Sequence, residues 1–466
     1  MGDAKRERYD VTIIGGGAGG YTAALEATAN GLKVALIEKD RVGGTCLNRG
    51  CVPTQCLLRD LIEYSFLKTC DTIERGSEGV RLNLQKIMDR KNRVVDELVS
   101  GTERSLLSQG VTIFRGEAAF SDPQTVVVGP SQEVIQSKHV ILATGSRWRL
   151  DPPLAFDHEH VWDTTDALQI EAVPKTIAIL GAGFRTMTFA DIFHYLGSDV
   201  HIISPSERIL PDIDRGIASR YRKVLRDKNI HLRTKTTVTE VRAGAKGDSI
   251  ELALEAKKGN ESVRVEKILV PGDREANAQG LDLEKIGLSL KNGLVPVDHD
   301  LMTPISGVYA IGDVIGGKYA AHKAMLEGAA VAKGLSGGKA AIRYEMVPLC
   351  LYTNPEVACI GLTEEEAQGA GREIEIGYFS FAAGSRPVIF DQAEGIIKVI
   401  AERKYGEVLG VHMIGPQVAE LISLASMAMK NELSLKEIAE VVYPHPSFSE
   451  SFLEAIKDAL RMVSSA

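Results

Sequence analysis

A strand, a glycine turn, a helix and a second strand follow one another twice in this chain, and no other feature limits its fold as much. The first copy runs from Val11 to Glu38 and the second from Ile177 to Ser204. In the first, Val11-Thr12-Ile13-Ile14 is a short apolar run that stops at Gly15-Gly16-Gly17, as a buried strand entering a turn does. Gly20 to Asn30 is rich in alanine, the strongest helix former, and Gly31 is placed to cap its C-terminus. Leu32 to Ile37 is apolar again, and Glu38 closes it. Such units join parallel strands through a crossover helix, so the chain is expected to be α/β, with parallel sheets covered on both faces.

Between the copies lie a polar helical stretch, Asn83 to Gln109, and a β-rich region ending in a strand from His139 to Gly145. Pro152 and Pro153 read as a boundary. Leu254 to Val270 alternates as hairpins do, and residues 307–332 give a strand, a Gly-Asp turn and a small-residue helix. From about residue 346 strands (Gly395 to Ala401, Glu407 to Ile414) alternate with amphipathic helices (Pro416 to Lys430, Ser449 to Met462), which predicts a separate C-terminal α+β domain. A length of 466 residues fits this division, at about 150 residues per domain.

Composition removes several classes. With 54 Lys and Arg against 62 Asp and Glu, the formal charge of −8 gives no support for nucleic-acid binding. No apolar run approaches the ~18 residues of a membrane span. The N-terminus offers only Val11 to Ile14 where a secretory signal needs at least ~7 apolar residues, so a cytoplasmic location is expected. Six cysteines are too few for a disulfide scaffold. No CxxC pair and no histidine cluster is apparent to complete a zinc site, so no metal is expected. Cys46, Cys51 and Cys56 crowd together, which favours redox chemistry.

Gly15-x-Gly17-x-x-Gly20 sits between strand and helix. Its glycines permit a tight turn, close approach of backbone to a pyrophosphate, and close helix–strand packing, while the helix N-terminus faces the phosphates. Glu38 is then placed to accept hydrogen bonds from a ribose. Immediately after come Gly43-Gly44-Thr45-Cys46-Leu47-Asn48-Arg49-Gly50-Cys51. Two cysteines five apart near a helix start can reach disulfide distance, the helix end favours thiolate, and Arg49 would lower the thiol pKa further. Cys56 reads as a simple free thiol. Near the C-terminus, His445 has Glu450 close behind; a histidine near neutrality could take the proton a dithiol must lose before it attacks a disulfide, but taken alone such a histidine reads as a surface or core residue.

Together these motifs resemble those of the flavin-dependent pyridine nucleotide–disulfide oxidoreductases, most closely the dihydrolipoamide dehydrogenase branch, the E3 component of 2-oxoacid dehydrogenase complexes. The resemblance covers nearly the whole chain. Ala143-Thr144-Gly145 is similar to the family's second FAD motif, and Tyr309-Ala310-Ile311-Gly312-Asp313 to its third. Ala321-His322-Lys323-Ala324 is similar to the segment beside the flavin ring, and His445-Pro446-Ser447-Phe448-Ser449-Glu450 to the acid–base motif.

The resemblance implies two Rossmann-like dinucleotide-binding domains plus a C-terminal interface domain. Residues 1–150 and 281–345 would form the FAD domain, 151–280 the second dinucleotide domain and 346–466 the dimerisation domain. It implies FAD held by Gly15, Gly17, Gly20, Glu38, Thr45, Thr144, Gly145, Gly312, Asp313 and Ala321, and NAD held at Gly181 and Gly183. Cys46 would be the interchange thiol and Cys51 the thiol against the flavin. His445 and Glu450 would be contributed across a homodimer, with a cis His445–Pro446 bond. The activity implied is oxidation of dihydrolipoamide or a lipoyl-bearing protein, with electrons passing through FAD to NAD+.

The second dinucleotide site departs from the family pattern. In Gly181-Ala182-Gly183-Phe184-Arg185-Thr186-Met187-Thr188, Thr186 replaces the third glycine and Thr188 stands where the family has glutamate. Ser204 stands where NAD-dependent members carry an acid, and Pro271-Gly272-Asp273-Arg274 departs from Val-Gly-Arg. Gln55 replaces the lysine that pairs with the missing glutamate, so both halves of that ion pair are absent, as in a retuned site. Arg185 and Arg208 offer limited support for NADP. The alternative is the same dithiol chemistry with oxygen, a quinone or a protein carrier as acceptor. The last cysteine, Cys359, leaves a thiol-free tail, unlike mercuric reductase or the thioredoxin reductases with a C-terminal redox pair.

Overall fold

The apolar run that opens the chain becomes strand β1 (Arg8–Ile14), which passes through Gly15-Gly16-Gly17 into helix α1 (Ala18–Ala29) and returns as β2 (Val34–Glu38). The computed structural model describes residues 8–72, 79–149, 154–243, 249–257, 259–339 and 341–464. The boundary expected at Pro152 and Pro153 lies outside the described residues. Helices α2 (Gly44–Arg49), α3 (Cys51–Thr69) and α4 (Leu84–Ser108) come next. The Asn83 side chain caps α4 by accepting the Lys86 N–H at 3.0 Å, a contact of a kind that contributes about 1 kcal/mol.

Five strands follow: β3 (Thr112–Arg115), β4 (Glu117–Asp122), β5 (Thr125–Gly129), β6 (Glu133–Leu142) and the short β7 (Ser146–Trp148). The sheet order is β3-β2-β1-β6-β5-β4; β3, β2, β1 and β6 are parallel, and the β6–β5 and β5–β4 pairs are antiparallel. Both faces of β2 are buried. Val34 and Leu36 pack with Ala23, Ala24 and Ala27 of α1, and Ala35 and Ile37 with Phe120, Val126 and Val128. A strand buried on two sides has no polar alternation to show, which is why it reads as a continuous apolar run.

The second copy begins after β8 (Val161–Trp162) and α5 (Thr164–Ala167). Strand β9 (Thr176–Leu180), helix α6 (Phe184–Leu196) and strand β10 (Asp199–Ile203) repeat the first pattern, followed by α7 (Arg215–Asp227) and β11 (His231–Arg233). Next come β12 (Thr236–Ala243), β13 (Ile250–Ala256) and β14 (Gly259–Val265), an antiparallel three-stranded sheet, and β15 (Lys267–Leu269). The parallel sheet here has the order β11-β10-β9-β15-β8. The chain then returns to the first sheet: β16 (Arg274–Ala276) pairs antiparallel with β7, β17 (Val308–Ala310) pairs parallel with β6, and α8 (Ala321–Leu335) follows.

The C-terminal region contains five strands where the sequence shows two. These are β18 (Leu349–Leu351), β19 (Glu356–Gly361), β20 (Ile374–Ser380), β21 (Ile396–Glu402) and β22 (Val408–Gly415). They form an antiparallel sheet in the order β18-β19-β22-β21-β20. The short helices α9 (Glu364–Gly369) and α10 (Ser385–Ile389) connect them, and α11 (Val418–Lys430), α12 (Leu435–Ala439) and α13 (Ser449–Ser464) complete the chain. Ile397, Val399, Val411 and Met413 pack with Leu421 and Ile422 of α11 and with Phe452 and Ile456 of α13. Gly377 lets α13 lie close on the sheet, since a Cβ there would fall 2.3 Å from the Ala455 carbonyl oxygen.

The chain divides into two units, Met1–Leu57 with Asn83–Leu150 and Asp273–Ile342, and Leu58–Leu82 with Asp151–Gly272 and Arg343–Ala466. Within the second, the buried Lys398 ammonium of β21 donates to Asp214 at 2.7 Å and to Glu364 at 2.6 Å. Asp214 also caps α7, so this one carboxylate ties the parallel region to the C-terminal sheet. No helix among the described residues is long and apolar enough to cross a membrane.

Candidate active site

The C-terminal ends of β1, β6 and β17 lie side by side, because Ile14 and Ala310 both pair with Leu142. The turns that follow therefore emerge together, and they carry Gly15 to Gly17, Thr144 and Gly145, and Gly312 and Asp313. Gly15 has φ 105°, and a Cβ there would lie 2.4 Å from the Ala143 carbonyl oxygen. Gly17 starts α1 with no side-chain cap, and Gly44 Cα lies 3.9 Å from where its Cβ would sit. Gly20, in the first turn of α1, could not carry a side chain, since its Cβ would fall 1.8 Å from the Gly15 oxygen.

Glu38 is buried at the end of β2, where its Oε2 accepts the Gly16 N–H at 2.7 Å and its Oε1 the Asp40 N–H at 2.8 Å. The expected ribose acceptor thus also fixes the glycine turn. Asp313 Oδ2 accepts a hydrogen bond from Ser146 Oγ at 2.6 Å, and Ser146 Oγ accepts one from Arg274 Nε at 2.6 Å. Arg274 is buried, stacks on Trp148 with its guanidinium carbon 4.3 Å from the ring centroid, and lies 3.8 Å from Asp313. Behind the same turn, buried Lys323 and Glu327 pair at 3.0 Å; Glu327 accepts the Gly312 N–H at 2.7 Å, and Lys323 donates to the Gly316 carbonyl at 2.9 Å.

Ser146, Arg274 and Glu327 support Asp313 and its turn, and the sequence analysis missed them. The pairing of β7 with β16 that joins the first two leaves no local signal; the i,i+4 spacing of Lys323 and Glu327 on a helix could have shown the third. The side-chain oxygens Thr144 Oγ1 and Asn48 Oδ1 are buried and make no hydrogen bond to the described residues. A glycine turn that opens a helix with no side-chain cap, a supported aspartate, and buried oxygens without a partner among the described residues fit a large polar ligand such as FAD. Thr45 is exposed on α2, and Ala321 opens α8, whose N-terminus has no side-chain cap.

Cys46 lies in α2 and Cys51 opens α3, with Gly50 at the break between them. A Cβ on Gly50 would fall 2.8 Å from the Thr45 oxygen, so the break between α2 and α3 has no room for a side chain. Both cysteines are free thiols here, Cys46 part-buried and Cys51 exposed. The Cys46 thiol is pushed well above its ordinary pKa by a hydrogen bond with Cys51, then by burial, then by the charge of Cys51. The expected lowering by Arg49 is not found for Cys46: Arg49 pairs instead with Asp40 at 3.1 Å. Two reduced sulfurs in contact hold a proton between them, which outweighs a cation directed elsewhere. The pKa of Tyr21 in α1 is raised by burial and then by the charges of Cys46 and Cys51.

The second glycine turn keeps its path but not its interior. Gly181 has φ 114°, and Gly183 begins α6 with no side-chain cap. Thr186 is buried, with Oγ1 3.4 Å from the Leu180 carbonyl oxygen, and Thr188 Oγ1 donates to the Phe184 carbonyl at 2.9 Å. Ser204 is buried at the end of β10 and accepts the Ser206 N–H at 3.2 Å.

His445 is exposed, and its Nδ1 lies 2.7 Å from Glu450 Oε1. Glu450, in the first turn of α13, also accepts the Ser447 N–H at 2.8 Å. The His445 hydrogen bond is the main cause that holds the Glu450 carboxyl below its usual value. The His445–Pro446 bond is cis.

Residues 9–329 match the model of the pyridine nucleotide–disulphide oxidoreductases, and residues 347–456 that of the same family's dimerisation domain. The chain belongs to this family of oxidoreductases, whose cofactors are FAD and NAD(P). It is 37% identical to a dihydrolipoyl dehydrogenase of Bacillus subtilis over 461 residues, covering 96% of this chain and 97% of that one. It is 36% identical to a leghemoglobin reductase of Glycine max, covering 96% of this chain and 87% of the relative. Among solved structures it is similar to the HOCl-induced flavoprotein disulfide reductase RclA of Escherichia coli, with a TM-score of 0.85, 26% identity, and 96% and 99% of the two chains covered.

Proposed function

We propose that this protein is a cytoplasmic, homodimeric, FAD-dependent dithiol–disulfide oxidoreductase that oxidises dihydrolipoamide or a dihydrolipoyl-protein. The observation that carries the reading is the Cys46–Cys51 pair, two thiols in contact at the start of α3 in the unit that holds the first glycine turn. In the oxidised enzyme these two sulfurs form a disulfide. A substrate thiolate attacks Cys46, forming a mixed disulfide and releasing Cys51 as thiolate; the second substrate thiol then displaces Cys46, leaving a cyclic disulfide product and two reduced enzyme sulfurs. His445 Nε2 takes the substrate's proton, and Glu450 holds the imidazole through Nδ1. In a dimer that histidine would come from the second copy, as its exposure allows.

FAD would supply the two-electron acceptor for the reduced pair, with NAD+ as the final oxidant. Gly15, Gly17, Gly20 and Glu38 would hold its adenosine and pyrophosphate, and Thr45, Thr144, Gly145, Gly312, Asp313 and Ala321 the remainder. Gly181 and Gly183 would hold the nicotinamide cofactor. Residues 1–150 and 281–345 would then act as the FAD domain, 151–280 as the nicotinamide domain and 346–466 as the interface domain.

One observation favours a second reading. The buried Thr186 and the uncharged Ser204 leave the second turn without a carboxylate for a ribose, which suits another acceptor: oxygen, a quinone, a protein carrier or NADP. The mechanism is tested by Cys46→Ser with dihydrolipoamide as substrate. Turnover should fall by at least about a thousand-fold, on the scale of losing a catalytic nucleophile. Full dithiol turnover by this variant would overturn it.

A further inference from the structure

Strands β10 and β11 are neighbours in a parallel ladder, and His201 stands directly opposite His231. Side chains two apart on a strand share a face, so Asp199 joins the two imidazoles. His201 Nε2 lies 3.3 Å from Asp199 Oδ2, and His231 Nε2 lies 3.2 Å from Asp199 Oδ1. The rings stack with centroids 4.6 Å apart, and the three ligating atoms all fall within 4.8 Å of one another. A tetrahedral ion with bonds of about 2.1 Å sets its ligand atoms about 3.4 Å apart. Small side-chain rotations therefore separate the observed arrangement from a coordinating one. We propose that Asp199, His201 and His231 form a binding site for an imidazole-preferring first-row divalent metal ion such as Zn2+ or Ni2+, with water in the remaining positions.

The donor set is one carboxylate and two imidazoles, which suits these ions. His231 also lines a groove of about 770 Å3 with Arg220, Arg222, Lys223 and Arg226, and Arg233 Nη1 lies 3.0 Å from His201 Nδ1. Ca2+ and Mg2+ are held by charge on several oxygens, which one carboxylate does not supply; the cationic neighbours oppose every divalent ion alike, so the imidazole bonds must carry the affinity. A metal on Nε2 puts the remaining imidazole proton on Nδ1, where it cannot face a guanidinium. Arg233 must therefore turn away on binding, and Glu261, 3.5 Å from its Nε, is placed to receive it. His201 anchors the site with a side chain only 12% exposed, while Asp199 and His231 are about half exposed and open to an ion from solvent.

The test uses the oxidised holoenzyme, so that Cys46 and Cys51 do not compete, with Ni2+ binding followed by equilibrium dialysis. One ion per chain is expected, displaced by Zn2+ and unaffected by excess Mg2+. His231→Ala and Asp199→Asn, both on the surface, should each weaken binding at least about ten-fold while leaving the thermal melt of the metal-free protein in place. Arg233→Gln should tighten binding. A wild-type chain that takes up no Ni2+, or uptake unchanged in both ligand variants, overturns the proposal.

Discussion

At Gly20, in the first turn of α1, a Cβ would lie 1.8 Å from the Gly15 oxygen, whereas at the matching place in α6 the side chain of Thr186 is buried without conflict. The two turns otherwise follow one path: Gly15 and Gly181 have φ of 105° and 114°, and Gly17 and Gly183 begin their helices with ψ of −176° in both. A Cβ on Gly15 would meet the Ala143 backbone at 2.4 Å, while one on Gly181 would lie 3.0 Å from the Thr186 Oγ1, the only near neighbour among the described residues. The first two glycines set the direction of the chain, and the third sets how closely helix and strand can approach. The strand ends differ as well. Glu38 brings a carboxylate that clamps the turn through the Gly16 N–H; Ser204 brings a hydroxyl engaged with Ser206.

The largest consequence of that contrast is expected for Gly20→Ala. The added carbon meets backbone, which no rotamer can move, so a loss of about 3 kcal/mol and a protein purified without its yellow cofactor are expected, read by thermal melting and visible absorbance. Glu38→Ala should come next. It leaves the Gly16 and Asp40 N–H groups unpaired, for a loss of about 2 kcal/mol in urea unfolding and weaker flavin retention. The smallest effect belongs to Thr186→Gly, where exchanging a helical residue for glycine should lower stability by no more than about 1 kcal/mol and leave flavin content unchanged. Equal losses for Gly20→Ala and Thr186→Gly would break the contrast.

Much of this was legible in the sequence because it is local. The strand–turn–helix units, the helical stretch of α4, the C-terminal helices and the His445–Glu450 pair all depend on residues a few positions apart. What was hidden depends on pairing across the chain. Strands β7 and β16 bring Arg274 to Ser146 and so to Asp313, although the sequence offered Asp273 and Arg274 only as a departure beside the nicotinamide cofactor. Likewise no histidine cluster is visible along the chain, yet the ladder between β10 and β11 makes one. Arg49 lies between two cysteines in sequence but turns its charge to Asp40. Adjacency in sequence says nothing of where a long flexible side chain finds its partner. Three C-terminal strands were missed: β18 is short and β20 part-exposed, which leaves little apolar pattern to read, whereas in β19 the buried run from Val357 to Ile360 is only four residues long and has no alternation to mark it as a strand.

The most direct test of the account is an anaerobic absorbance titration of the purified holoenzyme, with dihydrolipoamide in one cuvette and NADH in the other. Reduction of the flavin by both is the predicted result, because the cysteine pair and the second glycine turn would each deliver electrons to it. Reduction by the dithiol alone would move the assignment of the acceptor to the second reading. A flavin that stays oxidised in excess dihydrolipoamide would contradict the account at its centre.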